Sequence, residues 1–178
     1  MSRLTTIRPE DATGAAAEVF AKIKKAVGKV PNAYATVGTH SPEALGAALA
    51  FDAAVAASTL GKADIEVIKL VVSEHVGCDY CVAAHTLMGK LAGLSGDDMK
   101  QVRAGVATGD AKRDALVTYV RTLVGTRGTV PQAAVDALQA AGYTNRQLIE
   151  INLAIASITF TNLVNRVNDT TLDFPAVK

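Results

Sequence analysis

Helix punctuation is the feature of this chain that most limits its fold. Ser41-Pro42-Glu43 sets an N-cap hydroxyl before a proline at the first helical position, where a missing N–H is harmless. Thr144-Asn145-Arg146-Gln147 matches a capping box, in which the first and last side chains satisfy free backbone donors at a helix start. Ser95 and Asp110 open further helices in the same way. Between these signals apolar residues recur at helical spacing; Leu116, Tyr119, Val120, Leu123 and Val124 line one face. β-branched runs such as Val71-Val72 sit inside helical patterns, and no segment reads as a strand. An all-α fold is expected.

The punctuation predicts helices over about 10–27, 42–57, 63–76, 78–91, 95–102, 110–124, 131–140 and 144–167. In the first, Val19, Phe20, Ile23 and Val27 share a face. Lys29-Val30-Pro31-Asn32 breaks it, and His40 is read as part of a loop running from Gly38 to Pro42. Gly77 separates the helix ending near Val76 from the one starting at Cys78. A chain of 178 residues suits one domain, 1–178, with a core over about 41–124 and C-terminal helices over about 131–167.

Charge excludes some functions. Eighteen Lys and Arg against 17 Asp and Glu give no electrostatic reason for nucleic acid or an anionic membrane as partner. Aromatic residues make up 4%, too few for base-stacking platforms. No run reaches the roughly 18 apolar residues that span a bilayer; Asp52 and Asn152 interrupt the richest stretches. The N-terminus carries no apolar stretch of the secretory type, so a cytoplasmic location is expected. Disulfides there are more often catalytic than structural. Hydrophobic residues reach 49%, many of them alanine, and mean hydropathy is +0.24, which points to apolar surface buried between subunits.

The chemistry gathers at Cys78-Asp79-Tyr80-Cys81-Val82-Ala83-Ala84-His85, which holds both cysteines of the chain and one of its three histidines. Two thiols at this spacing can close a small disulfide ring and reopen it. Cys78, Cys81 and His85 fall at i, i+3 and i+7, on one helix face. Cys78 stands near the helix start, where free N–H groups and the dipole favour a thiolate. Glu66, twelve residues before Cys78, lies on the preceding helix. If the two helices pack around Gly77, its carboxylate reaches the imidazole and can polarise it or relay a proton.

The same frame echoes 84 residues later: Glu150, Asn162, Asn165 and Asp169 repeat the spacing of Glu66, Cys78, Cys81 and His85. Ile65 matches Ile149 and Ser73 matches Ser157 in that register. An internal duplication of a two-helix unit is expected, with chemistry kept in the first copy.

Glu66, Cys78, Cys81 and His85 together resemble the motif of the alkyl hydroperoxidase D (AhpD) branch of the carboxymuconolactone decarboxylase superfamily: Glu, eleven residues, Cys, two residues, Cys, three residues, His. The resemblance implies an AhpD-like helical fold and a thiol-dependent peroxidase active in antioxidant defence. It implies that Cys81 attacks the peroxide, Cys78 resolves the sulfenic acid, and His85 with Glu66 relays protons. It implies hydrogen peroxide or an organic hydroperoxide as substrate and no bound cofactor. It further implies a dithiol reductant (a lipoyl-bearing protein, a thioredoxin-like protein or a peroxiredoxin) and assembly into trimers or hexamers. One position departs from the family: Tyr80 stands where its best-known member has a histidine, and a phenol carries no proton near neutral pH without a large pKa shift.

Other readings stand beside this one. Cys78, Cys81 and His85 offer three ligands to zinc and Glu66 a fourth, although a closed site usually takes two such cysteine pairs or one with two histidines. The carboxymuconolactone decarboxylase side of the superfamily implies lactone chemistry without redox cycling. A non-catalytic oligomer holding two inert thiols is a third. Glu66 can instead pair with Lys62 or Lys69 along its helix. His75 reads as a surface or interface residue, and Asn162 and Asn165 as partners for buried backbone or interface groups.

Overall fold

In the computed structural model, which describes residues 2–177, one helix is buried over most of its surface and the others are laid around it. This is α4, Lys62–His75; its Val67, Ile68, Leu70, Val71 and Val72 are all at most 2% exposed. Apolar side chains spread this far around a helix must be covered by neighbours. Around it pack α5 (Asp79–Leu91), α6 (Gly96–Ala104), α7 (Ala111–Gly125) and α9 (Asn145–Asn168). The helix α8 (Gln132–Ala140) leans on α7. A second, smaller core joins α1 (Gly14–Val27), α2 (Asn32–His40) and α3 (Pro42–Ala56) through Phe20, Ile23, Val37 and Leu45. Among the described residues there is no strand, as the periodicity requires.

The caps read from the sequence form as expected. The Ser41 hydroxyl accepts from the Ala44 N–H at 3.1 Å, and Asp110 accepts from Lys112 and Arg113. Thr144 and Gln147 close a reciprocal capping box. Three expectations need correction. The first helix starts at Gly14, after a separate 3-10 turn over Pro9–Asp11, and Val27 is 64% exposed rather than buried. The stretch read as a break and loop holds α2, so His40 ends a helix, with a ring nitrogen 2.8 Å from the Thr5 carbonyl. Gly38, Thr36, Val37 and Thr39 are poor helix formers by themselves. Packing decides against that preference, because Phe20 and Leu45 press on the bare backbone at Gly38, where a Cβ would collide with the Phe20 ring.

The third correction concerns the echo. Glu66, Cys78, Cys81 and His85 are split over α4 and α5, but Glu150, Asn162 and Asn165 lie on the single unbroken α9 and Asp169 caps its end. The two-helix unit is therefore not repeated. By length and mean hydropathy (1.3) α9 is also the one described helix apolar enough to cross a bilayer. Its inner face packs in the protein core through Ile151, Ala154 and Ile158 and carries buried Glu150, Asn162 and Asn165.

Candidate active site

The bend between α4 and α5 sets the site. Gly77 takes the left-handed conformation (φ 66°), which costs a side-chain-bearing residue strain. The Cys78 N–H then closes back on the Ser73 carbonyl at 2.9 Å, a Schellman-type ending that satisfies an orphan carbonyl of α4. The Arg166 guanidinium of α9 donates to the Val76 carbonyl and ties the bend to the long helix. Cys78 thereby becomes the N-cap of α5, and Cys81 follows within the first turn.

Both cysteines are free and buried, with Sγ atoms 2.8 Å apart. One negative charge suits this pair better than none or two. The side-chain hydrogen bond with Cys81 outweighs the cost of burial; with the Cys81 N–H helping, the Cys78 thiol is held down to about 7. Cys81 is pushed far up, because it is hydrogen-bonded to Cys78, it is buried, and it faces the charge on Cys78. Charge is thus favoured on Cys78 over Cys81, whereas the family resemblance assigns the attack to Cys81.

His85 lies one turn of α5 beyond Cys81, and its Nδ1 is 2.7 Å from Glu66 Oε2. The packing of α4 on α5 thus joins the carboxylate and imidazole as expected. Glu66 pairs with His85 rather than with Lys62 or Lys69. A carboxylate at Nδ1 fixes that nitrogen as the protonated one and leaves Nε2 as the basic atom. Among the described residues no hydrogen bond joins this pair to either sulfur, and no three potential metal ligands converge.

Two features escaped the sequence reading. The first is on α9. Asn165 donates from Nδ2 to Cys81 Sγ at 3.2 Å, and Asn162 donates to the Ser73 hydroxyl at 3.1 Å while also favouring charge on the cysteines. Both side chains are at most 3% exposed, and both Oδ1 atoms lack a partner. They serve the thiols rather than buried backbone. The echo carried the signal: Asn165 stands 84 residues after the Cys81 it touches. The second is a polar knot at Asp52, which accepts from Lys69 (2.9 Å), Ser157 (2.7 Å) and Tyr34 (3.1 Å). Burial would raise the Asp52 carboxyl, but the Lys69 charge and these bonds hold it below its ordinary value.

Tyr80 proves structural. Its hydroxyl accepts from the Ala33 N–H at 3.2 Å and donates to Asp173 at 2.6 Å, and its ring meets Phe174 edge-on. Burial drives its phenol well above the usual range. It ties α5 to α2 and to the segment after α9.

Two clefts reach this assembly from different sides. One of about 280 Å³ is lined by Cys78, Asn165, Arg166, Asp169 and Thr170. The other, about 390 Å³, is lined by Val55, Leu60, Lys62, Glu66, Lys69 and Met88 and contains neither cysteine.

A bent helix pair carrying a buried cysteine couple and a His–Glu pair is set in an all-α bundle. Residues 42–117 match the carboxymuconolactone decarboxylase family, and the fold as a whole is AhpD-like. The AhpD core of an uncharacterised peroxidase-related protein from Ralstonia eutropha superimposes with a TM-score of 0.83 at 20% identity, over 97% of this chain and 92% of that one. The debrominase Bmp8, as a cysteine-to-alanine variant in complex with 2,3,4-tribromopyrrole, gives 0.79 at 18%, over 97% and 94%. A protein of unknown function from Agrobacterium tumefaciens, described as an AhpD-type antioxidant defence protein, gives 0.66 at 26%, over 76% and 94%. Among curated proteins none matches the chain.

Proposed function

We propose that the protein is a thiol-dependent peroxidase of antioxidant defence, cycling between a Cys78/Cys81 dithiol and its disulfide. The observation that carries this reading is the 2.8 Å contact between two free, buried sulfurs beside a carboxylate-oriented imidazole. A thiolate attacks the O–O bond of hydrogen peroxide or an organic hydroperoxide; an S–O bond forms, and the alcohol or water leaves with a proton. The second sulfur displaces the hydroxyl of the sulfenic acid as water, closing the disulfide. A dithiol donor, such as a lipoyl-bearing protein, a thioredoxin-like protein or a peroxiredoxin, reopens it by exchange. His85 is the proton carrier and Glu66 its orienting partner. Counting free thiols before and after a hydroperoxide, then adding candidate dithiols, tests the cycle. Two thiols lost and two regained are expected, and Cys81→Ser should abolish turnover; undiminished turnover in that variant sinks the reading.

The protein acts as a homo-oligomer in this proposal. Along α9, Ile149, Leu163 and Val167 are all at least 62% exposed, and Phe51 of α3 adds to the same apolar surface. Exposed apolar surface of this kind suits a subunit interface. Light scattering on Leu163→Asp is expected to show a smaller species than the parent protein; identical masses argue against an interface there.

The cleft at Glu66 favours a second reading, lactone chemistry of the decarboxylase type, because Lys62 and Lys69 could meet a carboxylate there without the sulfurs. Conversion of a lactone acid by the protein lacking both cysteines would establish it.

A further inference from the structure

One face of α9 grips the bend between α4 and α5 at three points. Asn162, Asn165 and Arg166 stand at i, i+3 and i+4, so they share that face. Arg166 donates to the Val76 carbonyl, in the bend itself. Asn162 donates to the hydroxyl of Ser73, whose own carbonyl receives the Cys78 N–H. Asn165 donates to the Cys81 sulfur at 3.2 Å. Ser73 and both asparagines are buried, so these bonds form out of reach of bulk water, where an amide dipole acts strongly.

An amide beside a sulfur does not treat the two redox states alike. An N–H bonds a thiolate more strongly than a neutral sulfur. A carbonyl can receive an S–H, and a disulfide has none to give. Both asparagines favour charge on Cys81, and Asn162 favours it on Cys78 as well. Oδ1 of Asn165 lacks a partner, and closing the disulfide removes the nearest S–H that could serve it.

We infer that Asn165, braced by Asn162, sets the redox poise of the cysteine pair by favouring the dithiol over the disulfide. This rests on the proposed thiol–disulfide cycle and adds its direction. Asn165 acts on a reacting sulfur directly; Asn162 is a positioning residue, working through Ser73. In the reductive half of the cycle the Cys78–Cys81 bond breaks and two thiols form. A dithiol donor supplies both electrons and both protons and closes its own disulfide. Stabilising the dithiol raises the potential of the pair. A pair held in this way is regenerated by a donor of modest reducing power.

Redox titration of the full chain tests the inference. The protein is equilibrated in buffers of reduced and oxidised glutathione, and its thiols are counted by mass after alkylation. Asn165→Leu keeps a branched side chain and loses the amide; Asn165→Ala loses it and leaves a cavity. In both, the disulfide should be favoured about tenfold more than in the parent, a fall in potential of about 30 mV. Asn162→Leu should move the potential the same way by less. Ser157→Ala is the control: it lies on the same helix but bonds Asp52 and no sulfur, so it should lose stability and keep the parent potential. A potential in both Asn165 variants equal to the parent's or above it, or the same fall in Ser157→Ala, overturns the inference. A larger fall in Asn162→Leu than in Asn165→Leu overturns the division of roles. The expected shifts in a protein that consumes no hydroperoxide end the peroxidase reading and keep this one. Peroxide consumption with unshifted potentials ends this one alone, and a parent pair that forms no disulfide ends both.

Discussion

At the scale of residues, the two sulfurs are unequal. The hydrogen bond with Cys81 holds the Cys78 thiol down to about 7, below its ordinary value. Reactivity of the reduced protein with iodoacetamide should therefore rise with a midpoint near pH 7. In Cys81→Ala that bond is gone, and the midpoint should move up, toward or beyond that of a free cysteine; an unchanged midpoint would show that the sulfur contact does not hold the thiolate. Stability follows the same sign. Because the folded thiol ionises below its unfolded value, the reduced fold gains stability as pH rises from about 7 toward 9.0 and loses it on acidification through 7. Glu66→Gln removes the charge that orients His85, so peroxide turnover should fall about a hundredfold, within the range of acid–base assistance, while single-turnover alkylation at Cys78 stays normal.

At the scale of elements, two glycines carry more than their size suggests. Gly77 lets α4 end and α5 begin within three residues, which brings Glu66 and His85 to 2.7 Å. Gly77→Ala meets no neighbour, so its cost is backbone strain alone, about 1 kcal/mol. Gly38→Ala differs: its Cβ enters space held by Phe20 and Leu45, so denaturant unfolding should show a loss of about 1–3 kcal/mol. An undiminished midpoint would mean that α2 can shift off α1 without penalty. Element boundaries were largely legible where a capping side chain announces them, as at Ser41, Asp110 and Thr144. The helix α2 was illegible because no side-chain cap marks its start at Pro31 and Gly38 weakens its propensity.

At the scale of the whole molecule, the segment after α9 is held over the site by distant partners. Asp173 receives Tyr80 and Lys29, Asn32 donates to the Thr171 carbonyl, and Asn168 bonds the Leu4 N–H. Thr170 and Leu172 of this segment wall the cleft over Cys78. Tyr80→Phe should raise hydrogen exchange over residues 170–177 and cost about 1 kcal/mol of stability; exchange as slow as in the parent protein would show that the phenol does not anchor the segment. Tyr80 thus has structural partners of its own in Ala33, Asp173 and Phe174.

The sequence by itself determined the all-α class, most helix limits, and the four-residue frame of Glu66, Cys78, Cys81 and His85. These depend on local physics: caps, 3.6-residue periodicity, and side chains a turn or two apart. Only the tertiary structure decided that α2 exists, that Asn165 reaches Cys81, that Asp52 gathers Lys69, Tyr34 and Ser157, and that the sulfur facing a cleft is Cys78. Each of those rests on contacts between helices remote in sequence, 84 residues apart for Asn165 and Cys81. Such contacts follow from how the apolar sides of α4 and α9 bury one another, which no local pattern encodes.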